Sequence, residues 1–460
     1  MKAAARPSGA LLHCGQVGCD AVHPKGGSVA EAKFPRSTNL GLLNVVHDPA
    51  ATKVTRIAVV NSHPIQYFAP LYAYLNAAPD LEVTALYVSD FSIRGAKDSL
   101  FGRDVKWDLD LLAGYRSVFL GDAARTRKPR GFWSLIAPQV WNEVRSGRYD
   151  VVWLHGHNYA AYLIALTAAK TAGLPVMMRG ETHLGLPRHG IRSTLRRPLM
   201  GALYRSCDRL LAIGSANAAF YRAMGVPDYK IFLVPYSVDN DRFVHSANLT
   251  ANQKAEVRKR YNVPVDRPLV LYAARFAQRK RPLYLLDAVR RLKMDTDVRF
   301  TLAMAGSGAL EEELRAFCAE HALDNVVFTG FVNQSELPAL YAASDIFVLP
   351  SQDEPWGLAV NEAMCAGLPI VVSREVGCAA DLVRDGVNGY TPVAGDVAGL
   401  AKALQSLIEN EDLRRRQGQQ SLARILQWGY PQCLEGIRSA LAGLEFRSTK
   451  AKPILRRNGI

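Results

Sequence analysis

The sequence predicts an α/β protein with two doubly wound domains, each built on a parallel sheet with helices on both faces. Short apolar runs bounded by Gly, Pro and polar residues alternate with helical segments, which is the pattern of a parallel sheet. This alternation begins near residue 55 and begins again at residue 268, after a charged stretch. With 460 residues, 49% of them hydrophobic, the chain is long enough to bury two cores.

The first series starts with a buried strand over residues 55–61, a polar loop at 62–67 and a helix at 69–77. The loop lacks a Gly-x-Gly-x-x-Gly pattern, so no dinucleotide site is indicated there. Residues 91–129 form a polar and aromatic insertion whose structure the sequence does not predict. Further strands of this series are expected at residues 81–88, 150–154, 175–179, 208–213 and 230–234.

The second series follows a charged helix and a polar connector, and the chain after Asp396 is mostly helical. Its strands are expected at residues 268–272, 298–304, 326–328, 346–349 and 369–372. The predicted organisation is a disordered leader at 1–53, an N-terminal domain at 54–240, a connector at 241–266, a C-terminal domain at 267–428, a last helix at 429–446 and a basic tail at 447–460.

Composition narrows the class of protein. The net charge of +14 indicates attraction to an anionic partner, which could be nucleic acid, a membrane surface or a phosphate-bearing ligand. No nucleic-acid motif accompanies the charge, so nucleic acid is not expected. The seven cysteines include no Cys-x-x-Cys pair and are expected to be reduced thiols. The apolar pair Leu11-Leu12 is too short for a secretory signal, and we expect a cytoplasmic protein.

The stretch from Asp353 to Glu362 is where the chemistry is expected. It follows an apolar run that ends at Pro350, and it leads into a helical segment that ends at Gly367, so it reads as strand, turn and helix. Ligands collect at the carboxyl ends of parallel strands, and helix amides attract anions. The carboxylates of Glu354 in the turn and Glu362 in the helix would repel phosphate, so they are expected to bind hydroxyl groups of the ligand. A ligand with phosphate between two polyols is a nucleotide sugar.

Glu354 and Glu362, with seven residues between them and Ala363-Met364-Cys365-Ala366-Gly367-Leu368-Pro369 after them, resemble the signature of family 4 retaining glycosyltransferases (glycosyl transferases group 1). Three further segments resemble landmarks of that family in the family's order. They are Tyr272 to Lys280 with its Arg and Lys pair, Met304 to Gly308, and Phe328 to Val332. Pro235 to Asp239 also resembles a family segment, but departs from it at the second and third positions.

The resemblance implies the GT-B fold, in which two Rossmann-like domains face each other across a cleft and the last helix crosses back to the first domain. It implies that residues 54–240 bind the acceptor and residues 267–428 bind the nucleotide sugar. The implied reaction is retaining transfer of a sugar to a glycan or lipid-linked acceptor by front-face attack, in cell-envelope or exopolysaccharide synthesis. Neither a cofactor nor a metal is implied, because cations and helix amides would stabilise the leaving diphosphate.

Two cations past the end of the strand at 268–272, Arg275 and Lys280, are the candidates for binding the phosphates, since negative charge grows there during the reaction. The alternative is that both are ordinary surface cations. The resemblance assigns donor-sugar hydroxyls to Glu354 and ribose hydroxyls to Glu362. It assigns the remaining donor contacts, through backbone groups or the base, to Gly357, Leu358, Gly306, Ser307 and Val332.

Four residues of the first domain follow the ends of predicted strands, where an acceptor or donor sugar would lie. The candidates are His63, His157, Glu181 and His183. The plainer alternative for each histidine is a hydrogen-bonded structural residue. Glu181 stands near a position where many relatives have histidine, so the sequence leaves open whether it orients the acceptor or acts as a base.

Other interpretations remain open at the level of sequence. The basic segment from Arg188 to Arg209 is either a solvated helix or a peripheral contact with an anionic membrane at its inner face. The chain could also be a nucleotide-sugar epimerase of the same fold, or a sugar-binding protein without catalytic activity. The donor nucleotide (uridine or guanosine), the sugar and the acceptor are not predicted.

Overall fold

The computed structural model describes residues 54–94, 96–98, 103–105, 108–120, 131–186 and 191–446, with only the backbone at 94, 96–98, 103–105 and 191–196. The predicted leader and the predicted basic tail therefore lie outside the described residues. So do parts of the insertion at 91–129 and the side chains of Arg188, Arg192 and Arg196 in the basic segment.

The first lobe is built on a parallel sheet of seven strands. The lobe contains these seven strands and two others, which are β1 Thr55–Asn61, β2 Leu81–Tyr87, β3 Ala96–Asp98, β4 Arg103–Val105, β5 Arg116–Phe119, β6 Val151–His155, β7 Val176–Arg179, β8 Arg209–Ala212 and β9 Ile231–Leu233. Their order in the sheet is β5-β2-β1-β6-β7-β8-β9, while β3 and β4 form a separate antiparallel pair. The helices of this lobe are α1 Ala69–Asn76, α2 Phe91–Arg94, α3 Gln139–Val144, α4 Ala160–Ala172, α5 Ile191–Ser206 and α6 Ser215–Ala223.

The second lobe has a six-stranded parallel sheet in the order β12-β11-β10-β13-β14-β15. Its strands are β10 Leu269–Ala273, β11 Thr301–Ala305, β12 Val326–Gly330, β13 Ile346–Leu349, β14 Ile370–Val372 and β15 Gly389–Tyr390. Its helices are α7 Asn240–Ala247, α8 Ala251–Arg260, α9 Pro282–Asp295, α10 Glu311–Glu320, α11 Leu337–Ala342, α12 Leu358–Cys365, α13 Ala379–Leu382, α14 Val397–Glu409 and α15 Glu411–Ile425. The chain then returns to the first lobe as α16 Tyr430–Leu441.

The central strands of both sheets explain why the apolar runs were predictive. In β1, five consecutive residues are buried, and all four residues of β13 are buried. A strand covered by helices on both faces needs apolar side chains on both faces, so its sequence is a continuous apolar run. The predicted fold class, two doubly wound α/β domains, is confirmed.

The edge strand β5 was not predicted. It lies within the insertion and pairs in parallel with β2, from Thr84 opposite Arg116 to Tyr87 opposite Phe119. Its residues are exposed or only partly buried, because an edge strand has one neighbour and less cover. Such a strand lacks the continuous apolar run that identified the central ones.

The last helix, α16, packs on the first lobe, where it contacts β8, β9 and α1. Two arginines fix it there. Arg438 forms a bidentate ion pair with Asp80, at 2.9 Å and 2.6 Å, and Arg209 donates from Nε to the carbonyl oxygen of Ala440 at 3.0 Å. Among the described residues, no helix is both long and apolar enough to span a membrane.

Gly357 is required by the backbone at the start of α12. Its φ is +97°, a region that other residues rarely adopt, and a Cβ there would lie 2.9 Å from Cγ1 of Val376. We expect Gly357→Ala to destabilise the protein by about 1–3 kcal/mol, because it adds both backbone strain and a steric clash. The free energy of unfolding in urea measures this.

The matched control is Gly386→Ala, since Gly386 also has a positive φ (+73°) but a Cβ added there would meet only open space. Gly386→Ala should be destabilised by backbone strain alone, and therefore by less than Gly357→Ala. Equal destabilisation by both substitutions would contradict the packing part of the argument.

Candidate functional site

The loop between β13 and α12 carries a buried carboxylate. Glu354 is 8% exposed in this loop, and its Oε2 forms ion pairs with Lys280 Nζ and, at 3.3 Å, with Arg279 Nη1. Lys280 belongs to a short 3-10 helix, Gln278–Lys280, that follows β10. Since β10 and β13 are neighbouring parallel strands, their carboxyl ends bring Lys280 and Glu354 together.

Lys280 lies among further positive charges. Burial lowers the pKa of Lys280, and the charges of Arg279 and Arg275 lower it further, while the Glu354 carboxylate opposes these effects. Arg275 and Arg279 therefore lie close enough to Lys280 to repel its charge, beside the Glu354 carboxylate. An additional anion at this position would relieve that repulsion.

Glu362 lies in α12 and is 1% exposed. Its Oε2 accepts a hydrogen bond from the Tyr341 hydroxyl at 2.8 Å, whereas its Oε1 has no hydrogen-bond partner among the described residues. Burial raises the pKa of Glu362 to about 7, although Tyr341, Arg242 and the nearby phenol of Tyr67 act in the opposite direction. The carboxyl group thus has capacity for another hydroxyl donor.

A cavity of about 120 Å³ lies between the two lobes, and two of its lining residues, Tyr67 and Arg242, are close enough to Glu362 to lower its pKa. Tyr67 from the first lobe lines it together with Arg242 and Gln334 from the second. Arg242 donates to the backbone oxygen of Gln334 at 2.9 Å and to its Oε1 at 3.0 Å. Both lobes therefore contribute polar groups beside the candidate ribose-binding carboxylate.

The remaining donor-side candidates lie past the carboxyl ends of β11, β12 and β13. The amide of Gly306 donates to the carbonyl oxygen of Gly330 at 2.8 Å, and the carbonyl oxygen of Ser307 accepts from the amide of Phe276 at 3.0 Å. A Cβ on Gly306 would lie 2.2 Å from the oxygen of Ala274, so only glycine fits between these segments. Val332 packs, partly buried, against the core cluster that both lobes share, and Leu358 is the buried first residue of α12.

Two of the four candidates in the first lobe lie near the loop between β13 and α12, residues 350–357, which we call the donor loop. His183 Nε2 is 3.1 Å from the carbonyl oxygen of Glu354. Glu181 is near the Glu354 carboxylate: burial raises the pKa of Glu181 and the charge of Glu354 raises it further, while a hydrogen bond from Tyr236 and the charge of Arg179 oppose this. The cleft therefore brings Glu181 and His183 together with Glu354.

The other two candidates contact residues of their own lobe. His63 Nδ1 is 2.9 Å from the Ser62 hydroxyl, and its ring lies 4.2 Å from that of Phe91. His157 Nδ1 is 3.5 Å from the hydroxyl of Tyr204 in α5. These contacts do not include Glu354 or Lys280.

Sequence reasoning overlooked several residues at the same sheet edge. His155, the last residue of β6, is 2.8 Å from the Tyr72 hydroxyl and stacks on Trp153. Burial lowers its pKa well below the usual value, and Arg179 contributes to this. The strand was expected to end at residue 154, which directed attention to His157. Tyr67 offered no signal in the sequence, because its contact with Glu362 crosses between lobes.

Trp356 holds the donor loop against the first lobe. Its Nε1 donates to Asn361 Oδ1 at 2.9 Å, and Asn361 Nδ2 donates to the carbonyl oxygen of Tyr236 at 2.9 Å. Its ring stacks on that of Trp428 at 5.7 Å. Among the described residues, no group of three or more His, Cys, Asp or Glu side chains is arranged to hold a metal ion.

Two family models match the chain. Residues 65–237 match the glycosyl transferase 4-like domain, and residues 253–424 match the glycosyl transferases group 1 family. Together they match most of the chain, and each falls on one lobe.

Two of the relatives are named as transferases of sugar groups. Sulfoquinovosyl transferase SQD2 of Arabidopsis thaliana is 29% identical over 61% of this chain and 54% of its own length. D-inositol 3-phosphate glycosyltransferase of Streptomyces scabiei is 29% identical over 64% of this chain and 67% of its own length. The chain thus spans between about half and two thirds of the length of these relatives.

Solved structures agree on the fold. Anabaena HepE in complex with UDP and glucose superposes with a TM-score of 0.65 at 18% identity, covering 85% of this chain and all of HepE. Sucrose-phosphate synthase of Thermosynechococcus elongatus superposes with a TM-score of 0.61 at 19% identity, covering 84% of this chain and 97% of its own. The two facing lobes, the donor-loop motif and both family models lead to one conclusion: the chain belongs to the glycosyl transferases group 1 family and has the GT-B fold.

Proposed function

We propose that the protein is a retaining glycosyltransferase that moves a sugar from a nucleoside diphosphate sugar to a glycan or lipid-linked acceptor. The observation that carries this proposal is the group of three cations, Arg275, Arg279 and Lys280, beside the buried carboxylate of Glu354. A cluster of positive charges suits the diphosphate of a donor. The complexes of Anabaena HepE with UDP and with UDP-glucose support the same class of ligand.

The chemistry follows from where charge develops. As the bond between the anomeric carbon and the diphosphate breaks, negative charge grows on the leaving group, and Lys280 and Arg275 stabilise it. A diphosphate oxygen takes the proton of the attacking acceptor hydroxyl on the same face of the sugar, so configuration is retained. Glu354 binds sugar hydroxyls, and the amides of Gly357 and Leu358 contact sugar or phosphate oxygens. Neither a metal nor a cofactor takes part in this proposal.

The setting we propose is cell-envelope or exopolysaccharide synthesis in the cytoplasm. The support is the net charge of +14 and the exposed side chain of Leu199, 67% exposed, in the basic helix α5. Cations together with an exposed apolar side chain on one helix fit an anionic lipid surface, where a lipid-linked acceptor would lie.

Lys280→Met should lower the rate of sugar transfer at least about 100-fold, since it removes a cation that acts on the leaving group. The rate of nucleoside diphosphate release in the presence of acceptor measures this. Lys293→Met is the matched control, because Lys293 pairs with Asp324 on the exposed surface, and it should retain full activity. Unchanged transfer by Lys280→Met would refute the assignment, and conversion of the donor without any acceptor would indicate an epimerase instead.

A donor should stabilise the folded protein. A nucleotide sugar at about 100 times its dissociation constant raises the free energy of unfolding by about 2.7 kcal/mol. Thermal melting with uridine and guanosine diphosphate sugars therefore identifies the nucleotide. A protein that no nucleotide sugar stabilises, at concentrations up to millimolar, would not be a transferase of this kind.

Donor binding should depend on pH through Glu362. The pKa of this group is raised to about 7, and its ionised form is the better acceptor for ribose hydroxyls. Affinity for a nucleotide sugar, whose diphosphate does not titrate in this range, should therefore increase severalfold between about pH 6 and pH 8. Glu362→Gln should remove this increase. Calorimetric titration of both proteins measures it, and an identical pH dependence in the variant would exclude the role.

The same group should act on stability in the opposite direction. The folded-state pKa of Glu362 lies above its usual value of 4.5. The stabilising contribution of its protonated carboxyl group is therefore fully present below pH 4.5 and is lost as the pH rises through about 7. The unfolding free energy of the unliganded protein should thus fall more steeply with pH than that of Glu362→Gln.

A further inference from the structure

The carboxyl ends of β1 and β6 are joined by a buried chain of hydrogen bonds. Asn61, the last residue of β1, is 2% exposed, and Tyr72 in α1 is fully buried. Asn61 Nδ2 lies 3.1 Å from the Tyr72 hydroxyl, and that hydroxyl lies 2.8 Å from Nε2 of His155, the last residue of β6. The direction in which each group donates decides where His155 carries its proton.

The orientation of the Asn61 side chain is fixed by two donors. Its Oδ1 accepts from the backbone amide of Ser62 at 2.8 Å, and the hydroxyl of Tyr162 donates to the same oxygen at 3.4 Å. Because a backbone amide can only donate, the side-chain atom that it meets must be the oxygen. The Nδ2 group of Asn61 therefore donates to the Tyr72 oxygen.

Tyr72 must then donate to His155. Its oxygen already accepts from Asn61, and its single proton needs an acceptor, since a buried hydroxyl without one is unfavourable. Among the described residues, the only other hydrogen-bond partner of this hydroxyl is Nε2 of His155. Nε2 is therefore the acceptor, and the neutral ring carries its proton on Nδ1.

The surroundings of the ring favour this neutral state. Burial lowers the pKa of His155, and the charge of Arg179, its partner in the neighbouring strand β7, lowers the pKa further. A second ring proton, on Nε2, would also point at the hydroxyl proton of Tyr72. Geometry and electrostatics thus agree on a single form of the ring.

The Nδ1 side of the ring remains available. His155 is partly exposed, and within the described part of the chain Nδ1 has no hydrogen-bond partner and is not enclosed. The ring lies 4.4 Å from that of Phe68, which stacks on Tyr236, and the ring of Tyr236 lies 6.3 Å from that of Trp356 in the donor loop. His155 is therefore close to the cleft, with a free N–H group.

We infer that Asn61 and Tyr72 are positioning residues that hold His155 as the neutral Nδ1–H tautomer, so that it acts in the cleft as a hydrogen-bond donor and not as a base. A fixed N–H group suits a ligand oxygen that accepts a hydrogen bond, whereas removing a proton from a hydroxyl would require a bare nitrogen. The part of this inference that concerns catalysis rests on the proposed function; the tautomer does not.

Nitrogen spectroscopy of the histidine side chains tests the tautomer without any substrate. In protein labelled with ¹⁵N, a protonated and a bare ring nitrogen have different chemical shifts, and His155→Asn assigns the resonances of His155. In the wild type at neutral pH, we expect a protonated Nδ1 and a bare Nε2. A proton on Nε2 would overturn the inference.

Asn61→Asp tests whether the chain sets the tautomer. The carboxylate has the shape of the amide but gives Tyr72 an acceptor, so Tyr72 should donate to it and accept from His155. The proton of His155 should then move to Nε2. Tyr72→Phe removes the donor to Nε2 and should also populate the Nε2–H form, and it decides the question should Asn61→Asp not fold.

Tyr87→Phe is the matched control for these variants. Tyr87 is fully buried in the same core, and its hydroxyl lies 2.7 Å from that of Tyr115. Its substitution removes a buried hydroxyl but should leave the tautomer of His155 unchanged. If the folded Asn61 and Tyr72 variants kept the wild-type tautomer, the positioning role would be refuted.

Two substitutions of His155 with the same shape separate a donor from a base. His155→Asn supplies an N–H group near the position of Nδ1 but cannot take up a proton, whereas His155→Asp can take up a proton but has no N–H group. We expect His155→Asn to keep most of the wild-type kcat/KM and His155→Asp to lose at least about 100-fold. Equal or reversed losses would overturn the donor role. A wild type that transfers no sugar would instead reject the proposed function, while the spectra still decide the tautomer.

Discussion

The ion pair between Lys280 and Glu354 is the interaction on which the arrangement of the candidate site depends. It joins the segment after β10 to the loop after β13, and both side chains are largely buried, with 13% and 11% of their surface exposed. Desolvating two charges is costly unless they are well paired, so this pair fixes the loop that carries Glu354. The same loop then places Gly357 and the first turn of α12.

The first lobe completes this arrangement with contacts across the cleft. His183 lies against the backbone of Glu354, and Ser215 at the start of α6 donates its amide to Asp381 Oδ2 at 2.8 Å. Trp356 adds apolar contact with Tyr236 at a ring distance of 6.3 Å. The donor loop is therefore held from two sides, and groups on both lobes influence how readily Glu181 and Glu362 ionise.

Local pattern was sufficient for much of the fold and for part of the site. The buried strands were evident as continuous apolar runs, and Glu354 with Lys280 followed from motifs that lie at the ends of adjacent strands. Arg179, Tyr67 and His155 were not recognised, because their significance arises from contacts with residues far away in the chain. Arg179 in particular ends an apolar run, and only its burial and its missing partners distinguish it from an ordinary strand-end arginine. β5 escaped recognition because its side chains are half exposed.

The position of α16 has a consequence for how the lobes can move. The polypeptide passes between them twice, once on leaving β9 and once before Tyr430, and the two passages touch where Asn240 Nδ2 donates to the carbonyl oxygen of Ile425 at 3.0 Å. Because two adjacent chain segments connect the lobes, we expect the cleft to open by rotation of one lobe about an axis through these segments. Sliding or separation of the lobes would be disfavoured. Loss of the terminal segment would leave a single pivot and would expose to water the apolar surface that Cys433 and Ile437 now cover.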